Sequence, residues 1–457
     1  MRIRRLFIAN RGEIAVRIIR SCRRLGIDTV LGASEADLDS TPARLADLCV
    51  CVGPAVAAKS YLDVGAVVAA ARTAGVDALH PGYGFLAENA ALARACEDAG
   101  IVFVGPTPTQ LEAVGDKLAA RRHAVDAGLP VVPGGPVASL AEARELAGRI
   151  GWPILIKAVG GGGGRGLKRL DNPANLGAQL ELAMSEAQGA FGDARVYLER
   201  YVPSGRHVEV QLLGDGHEVI HLGDRDCSVQ RRYQKLIEEG PAPDLPAGLR
   251  ARMADAAVAY GRRLAYRGAG TVEFLVDTAG NAFYFLEMNA RIQVEHPVTE
   301  AITGVDLVER QIAIAEGHPL RLRQDEIQVS GHAIECRINA EDVAKGFAPG
   351  PGRISAAQFP AGAGIRVDTH VEAGSRVPPF YDSLVAKVIV HAHDRAQALT
   401  RMSGALANCR IAGVPVNTPL HVEILSDPEF RRGGVDTQYL ARRLAAWDGA
   451  RAVAAEH

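Results

Sequence analysis

No stretch of the chain reaches the roughly 18 consecutive apolar residues of a membrane span, so no transmembrane helix is expected. The start, Met1-Arg-Ile-Arg-Arg-Leu-Phe-Ile-Ala-Asn10, resembles the charged head of a secretory signal. Its apolar run is too short, and Asn10, Arg11 and Glu13 interrupt it. The seven cysteines are scattered and form no CxxC, which excludes an obvious disulfide framework or zinc site. Cys49 and Cys51, two apart in an apolar strand-like run, are expected to be buried packing residues. No basic block stands out, so neither nucleic acid nor an anionic membrane is expected as a partner. There is no internal repeat, no low-complexity segment and no GxGxxG for a dinucleotide. Lys is scarce relative to Arg and Ala is abundant, which reflects base composition more than function. What these absences leave is a soluble protein of a reducing compartment, with the cytoplasm as its expected location.

What is present is ordinary globular sequence: 457 residues, 48% hydrophobic and 23% charged. That length predicts about three domains rather than one core. Residues 1 to about 115 alternate short apolar strands with helical stretches. Leu6–Ala9, Gly12–Ile19, Thr29–Leu31, Asp77–Leu79 and Ile101–Val104 carry the βαβ rhythm of an open parallel α/β sheet. His80-Pro-Gly-Tyr-Gly84 reads as a turn at the carboxyl edge of that sheet, where it would either line a ligand crevice or serve as a plain tight turn. From Pro130 to about Val202 the pattern becomes a small α+β insertion with lid dimensions. It holds a strand at Trp152–Lys157, a helix within Asn172–Gln188 and a strand at Ala194–Glu199. The strand His207–Leu213 follows, and a final α/β piece extends to about residue 446.

Lys157-Ala-Val-Gly-Gly-Gly-Gly-Gly-Arg-Gly166 places five consecutive glycines after a strand. Bare backbone can approach phosphates and aim N–H groups at them, and Lys157 adds a point charge. A flexible linker is the alternative, although linkers rarely follow a buried strand directly. Lys117, in Gly115-Asp-Lys, and Glu199-Arg200-Tyr201-Val202, at a strand end near the hinge, are weaker candidates for nucleotide contacts.

Further on, two strands carry opposed carboxylates. Val272, Phe274 and Val276 point one way and leave Glu273 on the other face. Phe283, Phe285, Glu287 and Asn289 are expected to share one face of the second strand. A loop from Thr278 to Ala282 would pair Glu273 with Glu287. Two such carboxylates repel unless a cation lies between them, and hard divalent cations take oxygen ligands together with substrate phosphates. A solvated polar face is the alternative, and a register slip of one residue would restore it. His207, Glu209 and Gln211 share a strand face suited to a lined cavity. Gln230 and Lys235 lie in a densely charged segment that reads either as a solvated loop or as suited to holding anions near a metal. Arg291, Gln293 and Glu295 fall on one side if that segment is extended, with Ile292 and Val294 packed behind. Arg offers a planar fork, Gln fixes a hydroxyl and Glu takes a proton, a set suited to a small planar acid such as bicarbonate. Arg337 in Glu335-Cys-Arg-Ile-Asn339 has the same alternation.

Together these runs resemble the ATP-grasp ligases and, more narrowly, the biotin carboxylase family. The matching segments are Ile8–Ile14, His80–Leu86, Gly115–Lys117, Lys157–Gly166, Arg206–Glu209, Arg225–Arg232, Glu287–Pro297 and Gly331–Asp342. The resemblance covers nearly the whole chain. It implies an α/β and α+β architecture. The expected parts are an N-terminal open parallel α/β (pre-ATP-grasp) domain at 1–115 and an ATP-grasp domain at 116–330 with a small glycine-rich lid at about 130–202. A C-terminal biotin-carboxylase-type domain at 331–446 and a tail at 447–457 complete them.

The resemblance also implies roles. Lys117, Lys157, Gly163, Gly164 and His207 would hold ATP phosphates or ribose, with Glu199, Arg200, Tyr201 and Val202 at the adenine and Gln230, Tyr233 and Leu275 around the nucleotide. Glu273, Glu287 and Asn289 would bind Mg²⁺ (or Mn²⁺). Lys235, Arg291, Gln293 and Val294 would bind bicarbonate, and Glu295 would be the base that deprotonates it for attack on the γ-phosphate, giving carboxyphosphate. Arg337 would stabilise the biotin enolate, with Asp382 also on the substrate side. Tyr233 departs from the family, which usually has His there, and altered nucleotide affinity with activity retained is expected. No Met-Lys-Met-like biotin attachment site occurs. The biotin carboxyl carrier protein and the carboxyltransferase are therefore expected on separate chains, and the enzyme as a homodimer. Acetyl-CoA carboxylase is the default context. Another ATP-grasp ligase, or a non-catalytic nucleotide-binding paralogue, is the competing reading. Arg291-Ile-Gln-Val-Glu295 with Arg337 disfavours the former, and the presence of every matched catalytic position disfavours the latter.

Overall fold

The computed structural model describes residues 2–160 and 167–446. Gly163 and Gly164 of the proposed phosphate loop, and the tail 447–457, lie outside the described residues.

The N-terminal part is a five-stranded sheet in the order β3-β2-β1-β4-β5, with parallel pairing throughout. Its strands are β1 (Arg5–Ile8), β2 (Asp28–Ser34), β3 (Leu48–Gly53), β4 (Ala78–His80) and β5 (Val102–Phe103). In central β1, Leu6, Phe7 and Ile8 are all buried, as expected of a strand covered on both faces. The helix Gly12–Leu25 buries Ile14, Ala15, Ile18, Ile19 and Cys22 at helical spacing and ends at Gly26 with φ of 68°. Strand order reverses between β1 and β4, so their carboxyl ends form a switch-point crevice. Asn10, just beyond β1, donates from Nδ2 to the carbonyls of Pro81 (2.8 Å) and Tyr83 (2.7 Å) beyond β4. The expectation for Cys49 and Cys51 is corrected: β3 is an edge strand, and Cys49 is half-buried while Cys51 is exposed.

The insertion is a four-stranded antiparallel sheet in the order β6-β9-β7-β8. Its strands are β6 (Gly134–Val137), β7 (Ile154–Ala158), β8 (Leu167–Leu170) and β9 (Val196–Arg200). Ile154, Ile156, Val196 and Leu198 point into a separate small core beneath the helices Leu140–Ile150 and Leu176–Phe191. Alternation therefore leaves Lys157 and Glu199 on the other face.

The rest is built on one eight-stranded sheet. It begins β14-β13-β10-β11-β12-β15 and continues through the strands Leu384–Ala392 and Ile365–Thr369. The new strands are β10 (Arg206–Asp215), β11 (Val219–Arg231), β12 (Gln234–Gly240), β13 (Arg267–Asp277), β14 (Ala282–Asn289) and β15 (His332–Asn339). β12 pairs directly with β15, so hydrogen bonding runs unbroken from the central part into the C-terminal part. Val208, Val210, Val272, Phe274 and Val276 pack into the main core. His207, Glu209, Gln211, Thr271 and Glu273 lie on the opposite face.

Two local expectations change here. Asp277 pairs with Ala282, so the hairpin loop is one residue shorter than expected. Glu273 nevertheless pairs with Glu287, because the ladder shifts between Glu273 and Phe274 and leaves Leu286 as the extra residue of a β-bulge. The bulge also separates residues expected on one face. Phe283 and Phe285 enter the core, while Glu287 and Asn289 join Glu273 on the polar side. The segment Arg291–Glu295 is a turn rather than a strand, and Glu295 immediately precedes the helix His296–Thr303.

Candidate active site

Lys235 on β12 forms the centre of the polar face. Its ammonium donates to Glu209 Oε2 (2.6 Å), Glu273 Oε1 (2.8 Å) and Glu295 Oε1 (2.7 Å). A lysine has three donors, and all three are spent on carboxylates from three separate segments. Burial alone would discharge this lysine; the three carboxylates reverse that and hold its pKa well above the usual lysine value. Glu295 is buried as well, but Lys235, Arg337 and Arg225 outweigh that burial and keep it ionised, well below the usual carboxylate range. Arg337 on β15 donates from Nη2 to Glu295 Oε2 (2.9 Å) and from Nε to Glu238 Oε1 (2.6 Å).

Arg291 donates from Nη1 to Gln293 Oε1 (2.9 Å) and from Nη2 to Asn289 Oδ1 (2.6 Å). Gln293 Nε2 reaches Glu273 Oε1 at 3.2 Å. The Val294 carbonyl accepts from Lys387 Nζ at 2.7 Å. The residues expected to bind a small oxyanion are thus brought together, although by a turn and not by strand alternation.

His207 Nε2 lies 3.2 Å from Glu273 Oε2, and its Nδ1 is 3.0 Å from Gln230 Nε2. Burial lowers the imidazole pKa, but Glu273 overcomes it and the net shift is upward. Leu275, paired with His207, lies half-buried beside it. Lys117 opens the helix Lys117–Asp126, with its Nζ 4.0 Å from Glu287 Oε2. Lys157 meets Glu199 at 2.5 Å. Burial lowers the Lys117 pKa despite Glu287, whereas Glu199 lifts that of Lys157 against its burial. The two lysines and Glu287 thus form one charged cluster. Arg200 and Tyr201 hold the hinge through main-chain bonds to Pro133 and Pro153, and Val202 is buried after them. Tyr233 is 55% exposed at the tip of the β11–β12 hairpin, close enough to feel the charge of Lys157.

Glu273, Glu287 and Asn289 supply oxygens of the kind a hard divalent cation takes. Desolvation, followed by repulsion from Glu273, raises the Glu287 pKa against the pull of Lys117. Asn289 Oδ1 accepts from Arg291 Nη2 and has a second lone pair for a cation. This donor set fits Mg²⁺ or Mn²⁺.

Asp382 lies apart from the Lys235 cluster. It lines a cavity at the switch-point crevice with Asn10, Tyr83, Gly84 and His370. Tyr83 donates to Glu13, and Glu13 meets Lys387 at 2.9 Å, so a buried chain runs from this cavity to the Val294 carbonyl. Both Arg337 and Asp382 act on the Tyr83 hydroxyl, although burial and Glu13 dominate its raised pKa.

Sequence reasoning gave no role to Arg225, Glu238 or Lys387, and placed Glu209 only on a cavity-lining strand face. Glu209 bridges Lys235 and Arg225 (Nε to Oε1, 2.7 Å), and all three are buried or nearly so. The charged face of β10 was the available signal for Glu209. Nothing local marks Lys387, which acts 93 residues away from Val294. Along the polar face of β10, Gln211 is fully buried and donates to the Leu212 and Gly270 carbonyls, whereas Glu209 and His207 reach the Lys235 cluster.

Three family models match the chain. Residues 2–111 match "Biotin carboxylase, N-terminal domain", 116–323 match "Carbamoyl-phosphate synthase L chain, ATP binding domain", and 335–442 match "Biotin carboxylase C-terminal domain". A biotin carboxylase of Nostoc sp. is 49% identical over 443 residues, covering 96% of this chain and 99% of that one. The biotin carboxylase–βγ-ATP complex of Campylobacter jejuni superposes with a TM-score of 0.93 at 43% identity, covering 96% of this chain and 99% of that one. The biotin carboxylase domain dimer of Hydrogenobacter thermophilus 2-oxoglutarate carboxylase, solved with MgADP, ADP and bicarbonate, gives 0.92 at 45% identity, covering 97% and 98%.

Proposed function

The chain belongs to the biotin carboxylase family, and we propose that it carboxylates biotin on a separate carrier protein with ATP and bicarbonate. This is the first half-reaction of acetyl-CoA carboxylase or a related biotin-dependent carboxylase. The observation that carries this reading is Glu295, a buried carboxylate held between Lys235 (2.7 Å) and Arg337 (2.9 Å) beside the Arg291–Gln293 pair.

Lys117 and Lys157 offset the charge of the ATP phosphates, the hinge Glu199–Val202 takes the adenine, and Gln230, Tyr233, Leu275 and His207 surround the nucleotide. Glu273, Glu287 and Asn289 hold Mg²⁺ or Mn²⁺, which neutralises and orients the phosphates when bound. Bicarbonate is received by Arg291, Gln293, the Val294 main chain and Lys235. Each Lys235 proton that turns to bicarbonate is withdrawn from a carboxylate. As Lys235 leaves Glu295, that carboxylate becomes a better base. The bicarbonate O–H proton passes to Glu295 as its oxygen bonds to the γ-phosphorus and the bond to ADP breaks. Carboxyphosphate then releases CO₂ and phosphate, and the phosphate takes the ureido N–H proton of biotin. The ureido nitrogen attacks CO₂ while Arg337 stabilises the enolate oxygen, and Asp382 lies on the biotin side of the site. The carrier and carboxyltransferase act as separate chains, and the enzyme works as a homodimer.

The test is ATP cleavage by the purified chain with and without bicarbonate and free biotin. Turnover that requires bicarbonate and rises with biotin is expected. Absence of biotin stimulation overturns the reading.

A further inference from the structure

Arg291 is the only cation contributed by the Arg291–Glu295 turn, and its guanidinium must face a small anion with its fork fixed. Gln293 and Asn289 engage its two terminal nitrogens. Its Nε is held from outside this segment: Glu88 Oε2 accepts from it at 2.9 Å. The other oxygen of the same carboxylate, Oε1, accepts from the Ala290 N–H at 2.9 Å. Ala290 is the first residue beyond β14, where the ladder no longer supplies a partner. One carboxylate from the N-terminal part therefore grips both the main chain where the strand ends and the side chain of the next residue. With Nε, Nη1 and Nη2 all engaged, the plane of the guanidinium has little freedom left.

Glu88 follows His80–Leu86, the segment whose Tyr83 and Gly84 line the switch-point cavity. The side chain of Glu88 is 41% exposed, so its role is not that of a core ion pair and its removal opens no cavity.

We propose that Glu88 is a positioning residue for bicarbonate capture, holding the Arg291 guanidinium from across the domain boundary in the orientation the anion requires. This rests on the reading of Arg291 as a bicarbonate ligand.

The experiment compares Glu88→Ala, Glu88→Gln, Arg291→Ala and the Glu88→Ala/Arg291→Ala double variant of the full chain. Bicarbonate KM, ATP KM, Mg²⁺ dependence and Tm are measured for each. Glu88→Ala should raise the bicarbonate KM about tenfold, the size of one lost charge-assisted hydrogen bond, with ATP KM and Tm unchanged. Glu88→Gln, which can still accept from Ala290, should show a smaller rise. In the Arg291→Ala background Glu88→Ala should have no further effect on bicarbonate, because the group it positions is gone. If Arg291→Ala raises the bicarbonate KM and Glu88→Ala does not, the inference fails while the functional reading stands. If Arg291→Ala itself leaves that KM unchanged, the reading of Arg291 falls and takes the inference with it. A Glu88→Ala defect rescued by added Mg²⁺ would make Glu88 a metal ligand, and a fall in Tm with unchanged kinetics would make it an interdomain brace; either result overturns the proposal.

Discussion

Glu238 on β12 and Glu335 on β15 stand directly opposite each other, and neither is exposed to solvent. Glu238 Oε1 accepts from Arg337, while Glu238 Oε2 and both oxygens of Glu335 have no hydrogen-bond partner among the described residues. Burial pushes Glu238 up to about 7 against the pull of Arg337, and Glu335 well above the ordinary carboxylate range. The pair therefore retains protons that free carboxyls have already lost. A group whose folded pKa is raised contributes stability below its unfolded pKa and loses it as pH rises through the folded value. Thermal unfolding should show Glu335→Gln and wild type most alike below the ordinary carboxylate pKa, with the variant gaining relative Tm as pH rises above it. A constant difference across that range would contradict the assignment.

Glu295→Gln keeps the shape of the proposed base but removes its proton affinity. Bicarbonate- and biotin-dependent ATP cleavage should drop by about 10²–10⁴-fold. Calorimetric titration with ATP should still show binding. Loss of ATP binding in parallel would mean that Glu295 holds the nucleotide site together instead.

Lys235→Met leaves Glu209, Glu273 and Glu295 converging on a space without a cation. The uncompensated buried charge should cost about 3–5 kcal/mol in denaturant unfolding. Lowering the pH should recover part of this, because the stranded carboxylates can then be protonated. A loss that does not change with pH would show that packing, not charge, is what Lys235 supplies.

Leu286 is the extra residue that the bulge absorbs so that Phe285 can enter the core while Glu287 faces Glu273. Its deletion leaves Phe285 and Glu287 consecutive opposite Phe274 and Glu273, so a regular ladder should keep Glu287 and Asn289 on the polar face. Mg²⁺ should then still strengthen ADP binding, an effect read by calorimetry with and without the ion. Loss of the Mg²⁺ enhancement would show that the bulge itself shapes the metal site.

Arg232 and Tyr233 both lie in the left-handed region, with φ of 47° and 68°, at the tip of the β11–β12 hairpin. Histidine adopts that conformation more readily than tyrosine and adds charge when protonated. Tyr233→His should fold at least as well and lower the KM for ATP several-fold. Unchanged ATP kinetics would remove Tyr233 from the nucleotide shell.

Much of the site was legible because its chemistry lies in short runs. The switch-point turn His80–Gly84, the opposed Glu273 and Glu287, and the set of Arg291, Gln293 and Glu295 could each be named from a short run, although the spacing argument for the last two assumed regular strands. Alternation predicts which face a side chain takes only while a strand remains regular. It therefore placed Phe285 and Glu287 together, and the bulge at Leu286 separated them. Arg291–Glu295 failed as a strand for a related reason: the helix His296–Thr303 begins immediately after it and converts the segment into a turn.

The sequence by itself determined the family and the parallel N-terminal sheet, and it named the candidate reacting groups, because each is carried by residues close together in the chain. Only the tertiary structure decided that Lys235 spends all three protons on Glu209, Glu273 and Glu295, that Lys387 holds Val294, and that Glu238 faces Glu335. Those contacts join strands and loops far apart in sequence. Strand register and close packing create them, and no local spacing encodes either.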